Sequence, residues 1–170
     1  MPRAVILTGG NTGDMKRRLQ QAQQLINEHV GAVLRCSHRY TSAPWGFSAP
    51  DAPDFSNQVL EVTTELVPEA LLDALQAIER TLGRDRDAER RERERTGQPY
   101  ASRTIDLDLL FYDDAVIDTP RLRVPHPQIA EREFVLVPLC EILRTKRHPV
   151  TGKTPVEMLD ELRNRTKNDD

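Results

Sequence analysis

Between Ala4 and Tyr112 the apolar residues change period repeatedly, and the order of those changes is what most restricts the fold. Ala4-Val5-Ile6-Leu7 reads as a short buried strand, ended by the turn chemistry of Thr8-Gly9-Gly10-Asn11. After Asp14, residues Leu19, Ala22, Leu25 and Ile26 recur at helical spacing to about His29, and Gly31 stops that helix. Val33 to Tyr40 reads as a second strand, Ala43 to Asp54 as a Pro-rich loop, and Asn57 to Leu66 as a third strand. Pro68 suits the first turn of a second helix, whose apolar face is Leu71, Leu72, Leu75, Ile78 and Leu82, with Gly83 beyond its end. Thr104 to Tyr112 is a fourth strand, and Ala115 to Ile117, after Asp113-Asp114, is in position to pair with it as a hairpin. Strand, helix, strand, strand, helix, strand is the order of the split βαβ unit. It predicts an α+β domain with a ferredoxin-like βαββαβ core, its sheet mostly antiparallel with helices packed on it. The order fixes no activity, because such a sheet hosts many functions.

Beyond Pro125 the pattern predicts a short helical stretch near Ile129 to Glu133, an apolar Phe134 to Leu139, and a last helix near Pro155 to Leu162. At 170 residues the chain is the size of one domain, expected over residues 1–163, with 164–170 a disordered tail. No apolar run approaches the length of a membrane span, and Met1 leads into Arg3 and a strand without a signal-like segment. A cytoplasmic monomer with no membrane partner is therefore expected. Cys36 and Cys140 lie far apart without metal-ligand spacing, so two reduced thiols are expected rather than a disulfide. A net charge of -3 argues against a general nucleic-acid binder.

The chemistry concentrates around Arg103-Thr104-Ile105-Asp106-Leu107-Asp108-Leu109-Leu110-Phe111. Side chains two apart on a strand share a face, so Asp106 and Asp108 point one way while Ile105, Leu107 and Leu109 point into a core. Two carboxylates so placed suit a magnesium ion, which takes one or two of them and fills its shell with water and phosphate oxygens. A pair of solvated acids on an open sheet face is the alternative. Arg84, Arg86, Arg90, Arg91, Arg93 and Arg95 precede Arg103, and Arg121, Arg123, His126 and Arg132 follow the acids. Metal and guanidinium groups together are what neutralises a polyphosphate during phosphoryl transfer. Interleaved Asp87, Glu89, Glu92 and Glu94 equally allow Asp87 to Arg95 to be a self-paired, solvated helix extension. Flanking prolines hold His126 in a defined loop, where it suits a hydrogen-bonding or phosphate-contacting role better than that of a base. The only tryptophan, Trp45, stands with Phe47 and Phe55 in or beside the Pro-rich loop; this suits a flat heteroaromatic ligand, with Asn57 offering donor and acceptor, or simply closes the loop over the core.

Together these blocks resemble the hydroxymethyldihydropterin pyrophosphokinase family over about Ala4 to Ile142. The specific parts are R-T-I-D-L-D-L-L-F at Arg103 to Phe111 and R-L-R-V-P-H-P at Arg121 to Pro127. They are joined by Tyr40 to Gly46, the run ending at Asn57, Ile78-Glu79 and Gly83 to Arg86. The resemblance implies transfer of pyrophosphate from ATP to the hydroxymethyl oxygen of 6-hydroxymethyl-7,8-dihydropterin with release of AMP, in folate biosynthesis. It implies two magnesium ions on Asp106 and Asp108, with Arg84 and Arg103 as catalytic cations. Gln76, Glu79, Arg84, Arg90, Arg103, Leu109, Arg121, Arg123, His126 and Arg132 would form the ATP site. Ser42, Ala43, Pro44, Trp45, Phe55 and Asn57 would line the pterin pocket, with Tyr100 and Phe134 sandwiching the ring and Tyr100 in the place of the family's usual tryptophan. The charged stretch from Arg86 to Tyr100 exceeds the usual loop, so either Arg90 or Arg95 can match the arginine that precedes that tryptophan. The rival reading is a module on the same sheet that binds RNA or a small effector. No RNA-type aromatic pair stands on a strand, however, and the acid pair would repel a phosphate backbone unless metal were bound. A transferase with a different acceptor is the nearer alternative.

Overall fold

The computed structural model describes residues 1–42, 54–83, 86–97 and 105–168. In chain order its elements are β1 (Arg3–Gly10), α1 (Met15–His29), β2 (Val33–Cys36), β3 (Tyr40–Ser42), β4 (Phe55–Thr63), α2 (Pro68–Thr81) and α3 (Arg86–Thr96). These are followed by β5 (Asp106–Tyr112), β6 (Ile117–Asp118), β7 (Arg123–Val124), a 3-10 turn at Ile129–Glu131, α4 (Glu133–Ile142) and α5 (Pro155–Asn168). Asp14 caps α1, its Oδ1 accepting from Arg17 N at 3.2 Å. Thr154 and Glu157 form a capping box at α5: Thr154 Oγ1 accepts from Glu157 N at 3.2 Å, and Glu157 Oε1 accepts from Thr154 N at 3.3 Å.

The main sheet runs β2-β4-β1-β5 with β3 also on β4, and every pairing in it is antiparallel. This is the predicted α+β, ferredoxin-like arrangement, with the first strand and the strand before α2 at the centre. One face packs Ala4, Ile6, Leu60, Val62, Leu107 and Leu109 against Leu19, Ala22, Ile26, Leu71, Leu75 and Ile78 of α1 and α2. The other packs Val5, Leu7, Val59, Leu110 and Phe111 against Val135, Leu136, Leu139, Met158 and Leu159 of α4 and α5. Helices thus cover both faces. At Gly31 the chain runs so close to β4 that an added Cβ would lie 1.7 Å from the Thr63 carbonyl oxygen, which is why no larger residue fits there.

Several expectations change. Thr8, Gly9 and Gly10 are not a turn but the end of β1, held in ladders by β4 and, through Thr8 and Gly9, by β5. The expected second strand is broken at Ser37, whose Oγ accepts from Val59 N at 3.0 Å, so β2 and β3 pair separately with β4. Ile117 does not pair with β5; Ile117 and Asp118 face Val124 and Arg123 in a small two-stranded sheet, after a turn in which Asp113 takes φ 46°. The stretch after Arg86 is helical, as its interleaved charges allow. The last helix continues past Leu162 to Asn168, with Arg163 on Glu133 at 2.8 Å and Arg165 donating to the Ala130 carbonyl at 3.3 Å. Cys36 and Cys140 are free thiols.

Candidate active site

The strand register brings the expected ligand residues of three segments into one row. Gly9 of β1 faces Asp106 of β5 on one side and Asn57 of β4 on the other, and Tyr40 of β3 faces Asn57 in turn. One step to one side of this row Leu7 faces Asp108 and Val59, and one step to the other side Ser42 faces Phe55. Residues opposite one another on neighbouring strands point to the same face. Asp106, Asp108, Asn57, Phe55 and Ser42 therefore share the α4/α5 face, Asp108 level with the apolar Leu7 and Val59 and the others beyond them toward the end of the sheet. Asp106 and Asp108 are half-buried, whereas Ile105, Leu107 and Leu109 are core, as the alternation predicts. Asn57 is buried at 5% exposure; Phe55 and Ser42 are half-buried.

The acid-bearing strand is gripped along its outer edge. Glu79 of α2, only 2% exposed, accepts from Leu107 N at 2.9 Å through Oε2, at the amide between the two acids. His126 N donates to the Leu110 carbonyl at 2.9 Å, tying the segment after β7 to the same edge. Edge groups that would otherwise be open are thereby paired. Glu79, expected among the ATP residues, is thus first a support for the acid strand. Leu109 is 4% exposed within the α1/α2 core, so its side chain belongs to packing and only its backbone can serve a ligand.

A second group stands beside the acids. His126 Nδ1 accepts from Gln128 N at 3.2 Å, which leaves the ring proton on Nε2. Burial pushes the His126 pKa down, the Arg132 charge pushes it further, and Asp106 partly opposes both. The imidazole is therefore a neutral donor at ordinary pH. Arg132 donates to Gln128 Oε1 and lies over the Phe134 ring, 5.6 Å from its centroid. Gln128, which no sequence pattern marked, links His126 and Arg132.

The remaining cations are dispersed. Arg121 pairs with Asp73 and stands 3.7 Å from Glu69, both on α2 near the half-buried Gln76; Arg123 pairs with Asp118 at 3.2 Å. Arg90 is exposed on α3, 3.8 Å from Asp87. A polyphosphate would have to share or displace these acids. Ala43, Pro44, Trp45, Arg84, Tyr100 and Arg103 lie outside the described residues.

Among the described residues no group of three or more His, Cys, Asp or Glu side chains gathers around a common point. Two carboxylates on one strand face fit a hard cation that draws its other ligands from water and phosphate, the habit of magnesium, rather than a cation that needs a full protein cage. Also among the described residues, no helix is long and apolar enough to cross a membrane.

The family model described as 7,8-dihydro-6-hydroxymethylpterin-pyrophosphokinase (HPPK) matches residues 5–144. A 2-amino-4-hydroxy-6-hydroxymethyldihydropteridine pyrophosphokinase from Synechocystis sp. is 38% identical over 160 residues, covering 94% of this chain and 75% of its own. One of the same description from Bacillus subtilis is 39% identical over 150 residues, covering 88% of this chain and 83% of its own. Among solved structures, Plasmodium falciparum HPPK-DHPS with pteroate superposes with a TM-score of 0.77 at 15% identity, over 98% of this chain and 43% of that longer one. At that identity the superposition speaks for the fold. The sequence matches go further: the chain belongs to the 7,8-dihydro-6-hydroxymethylpterin-pyrophosphokinase family.

Proposed function

We propose that this pyrophosphokinase joins ATP and 6-hydroxymethyl-7,8-dihydropterin across the row Asn57, Gly9, Asp106, with Asp106 and Asp108 holding two magnesium ions against the nucleotide phosphates. The observation that carries the reading is the register that sets the two acids and Asn57 on one face at the same end of the sheet. Magnesium, when bound, neutralises the phosphates and makes the β-phosphorus more electrophilic.

The chain's own residues supply position and charge. Asn57 fixes the polar edge of the pterin, Phe55 and Phe134 offer apolar faces to its ring, and Ser42 closes the β3 side, with Ala43, Pro44, Trp45 and Tyr100 completing the pocket. The hydroxymethyl oxygen gives its proton to solvent water and bonds to the β-phosphorus; the bond from that phosphorus to the α,β-bridging oxygen breaks, and AMP leaves with that oxygen. Neutral His126 donates through Nε2, and Arg132, Arg121 and Arg123 bring fixed positive charge, with Arg84, Arg103 and Arg90 or Arg95 as further cations and Gln76 contacting the nucleotide. Glu79 holds the acid strand, so that the carboxylates need not reorganise as charge shifts. Supporting a monomer, the exposed large apolar side chains among the described residues, Met1, Leu34, Val67, Val116 and Val150, come singly from separate segments of the chain. The acid pair and the net charge speak against a nucleic-acid partner.

Incubation with ATP, magnesium and the pterin alcohol, with nucleotide products resolved by chromatography, tests the reading. AMP and pterin diphosphate in equal amounts are expected. ADP as the product, or AMP that forms equally without pterin, would overturn it.

A further inference from the structure

Gly9 stands between Asn57 and Asp106 and contributes no side chain to the row. Its φ is not in the left-handed region, where Gly13, Gly83, Gly97 and Gly152 are found, so conformational freedom does not explain the glycine. Space does. A Cβ at Gly9 would lie 2.4 Å from Asn57 Oδ1 and 3.0 Å from the Ser56 carbonyl oxygen. The Asn57 carboxamide therefore occupies the volume that a side chain at position 9 would fill, lying over β1 on the way to β5. Strands about 4.8 Å apart place the Asn57 and Asp106 backbones about 10 Å from each other, and the carboxamide spans part of that gap. A hydroxymethyl arm is one carbon long, so a shift of about 1 Å in the ring's anchor moves the attacking oxygen out of line with the phosphorus.

We propose that Gly9 is a positioning residue: its missing side chain seats the Asn57 carboxamide flat across β1 and so sets how far the pterin lies from the acid pair. The inference rests on the pterin-binding reading of Asn57 and adds the residue that determines where Asn57 can point. A methyl group at position 9 lifts the carboxamide off the sheet, while Asp106 and Asp108 keep their places on the neighbouring strand. Substrate selection and nucleotide binding are thereby separable.

The test is a double-mutant cycle read as the KM for the pterin at saturating ATP, with affinity for a non-hydrolysable magnesium-nucleotide measured separately without pterin. Gly9→Ala is expected to raise the pterin KM at least tenfold and to leave nucleotide affinity within twofold. In an Asn57→Ala background the same substitution is expected to change the pterin KM less than twofold, since nothing remains to displace. A pterin KM within twofold of the parent for Gly9→Ala, or equal effects in both backgrounds, overturns the inference while the reading of Asn57 stands. An unchanged KM for Asn57→Ala alone overturns that reading instead. Should Gly9→Ala fail to fold, melting of the double variant decides. Recovery on removing the carboxamide supports the seat; failure in both backgrounds assigns the glycine to its approach to the Ser56 carbonyl and overturns it.

Discussion

Replacing Glu79 separates two roles that its position in α2 allows, support of the acid strand and contact with nucleotide. In Glu79→Ala the Leu107 amide, on a residue 4% exposed, loses the carboxylate that accepts from it at 2.9 Å. A buried donor deprived of a charged acceptor costs about 3 kcal/mol. For a chain of this size each kcal/mol moves Tm by about 2–4 °C, so the variant is expected to melt about 6–12 °C lower, without any nucleotide present. Glu79→Gln keeps an acceptor oxygen of nearly the same shape and is expected to lose only about 1 kcal/mol, or about 2–4 °C. Scanning calorimetry of the three apo proteins measures this, and hydrogen exchange at Leu107 localises it, with faster exchange expected in the alanine variant only. A residue that served nucleotide alone would leave apo melting unchanged. If Glu79→Ala melts within 2 °C of the parent, or Glu79→Gln falls as far as the alanine variant, the hydrogen bond does not hold the strand and the argument is refuted.

Asp106→Asn and Asp108→Asn are each expected to abolish turnover and to weaken magnesium-nucleotide binding at least a hundredfold, with far-UV circular dichroism unchanged; substantial activity in either would remove the metal role from that residue. His126→Gln should flatten the acid limb of the stability profile. Burial and Arg132 hold the ring's pKa below the ordinary 6.5, so the unfolded chain binds more protons: stability is full above pH 6.5 and is lost as pH falls through the folded value. His148, lowered by burial and then by Lys146, acts in the same window and keeps its share in the variant, so the slope should shrink and not vanish. Gly31→Ala places a methyl 1.7 Å from the Thr63 carbonyl oxygen and is expected to cost more than about 4 kcal/mol, seen as a lowered yield of folded protein; a parent-like Tm would mean that this end of β4 shifts freely.

What could be read from the sequence follows from how local each cause is. The pairing of Asp106 and Asp108 on one face was legible because a strand's side-chain period is a whole number, and α1 was legible because its cap Asp14, its apolar stripe and Gly31 just past its end form one continuous stretch of sequence. The placement of Asn57 beside Gly9, of Glu79 under Leu107 and of Arg121 on Asp73 joins residues far apart in the chain, and periodicity carries no signal for such contacts. The reading of Thr8 to Asn11 as a turn failed for the same reason. Glycines favour turns unless neighbouring strands claim them, and here β4 pairs with both and β5 with Gly9.

Simple alternation also breaks inside the acid strand. On a regular strand Phe111 would share a face with Ile105, Leu107 and Leu109, yet it packs with Leu110 on the α4/α5 side. The β1–β5 register explains this: Val5 faces Phe111 and the next residue, Ile6, faces Leu109, so Leu110 is an extra residue in the ladder. The consecutive apolar residues Leu109-Leu110-Phe111 are its trace in the sequence. Through it the one strand anchors to both helical layers, Leu109 to one and Leu110 and Phe111 to the other, immediately after the residues that carry the acids. The His126 amide binds the Leu110 carbonyl at that same step, so the bulge that changes the strand's face also fixes the loop carrying the imidazole. Asp106 and Asp108 thus stand on a strand clamped on both faces and along its edge, while the carboxylates themselves stay half-exposed at the end of the sheet. If the pair holds magnesium as proposed, that rigidity in the backbone keeps two like charges in place, where mutual repulsion would otherwise spread them.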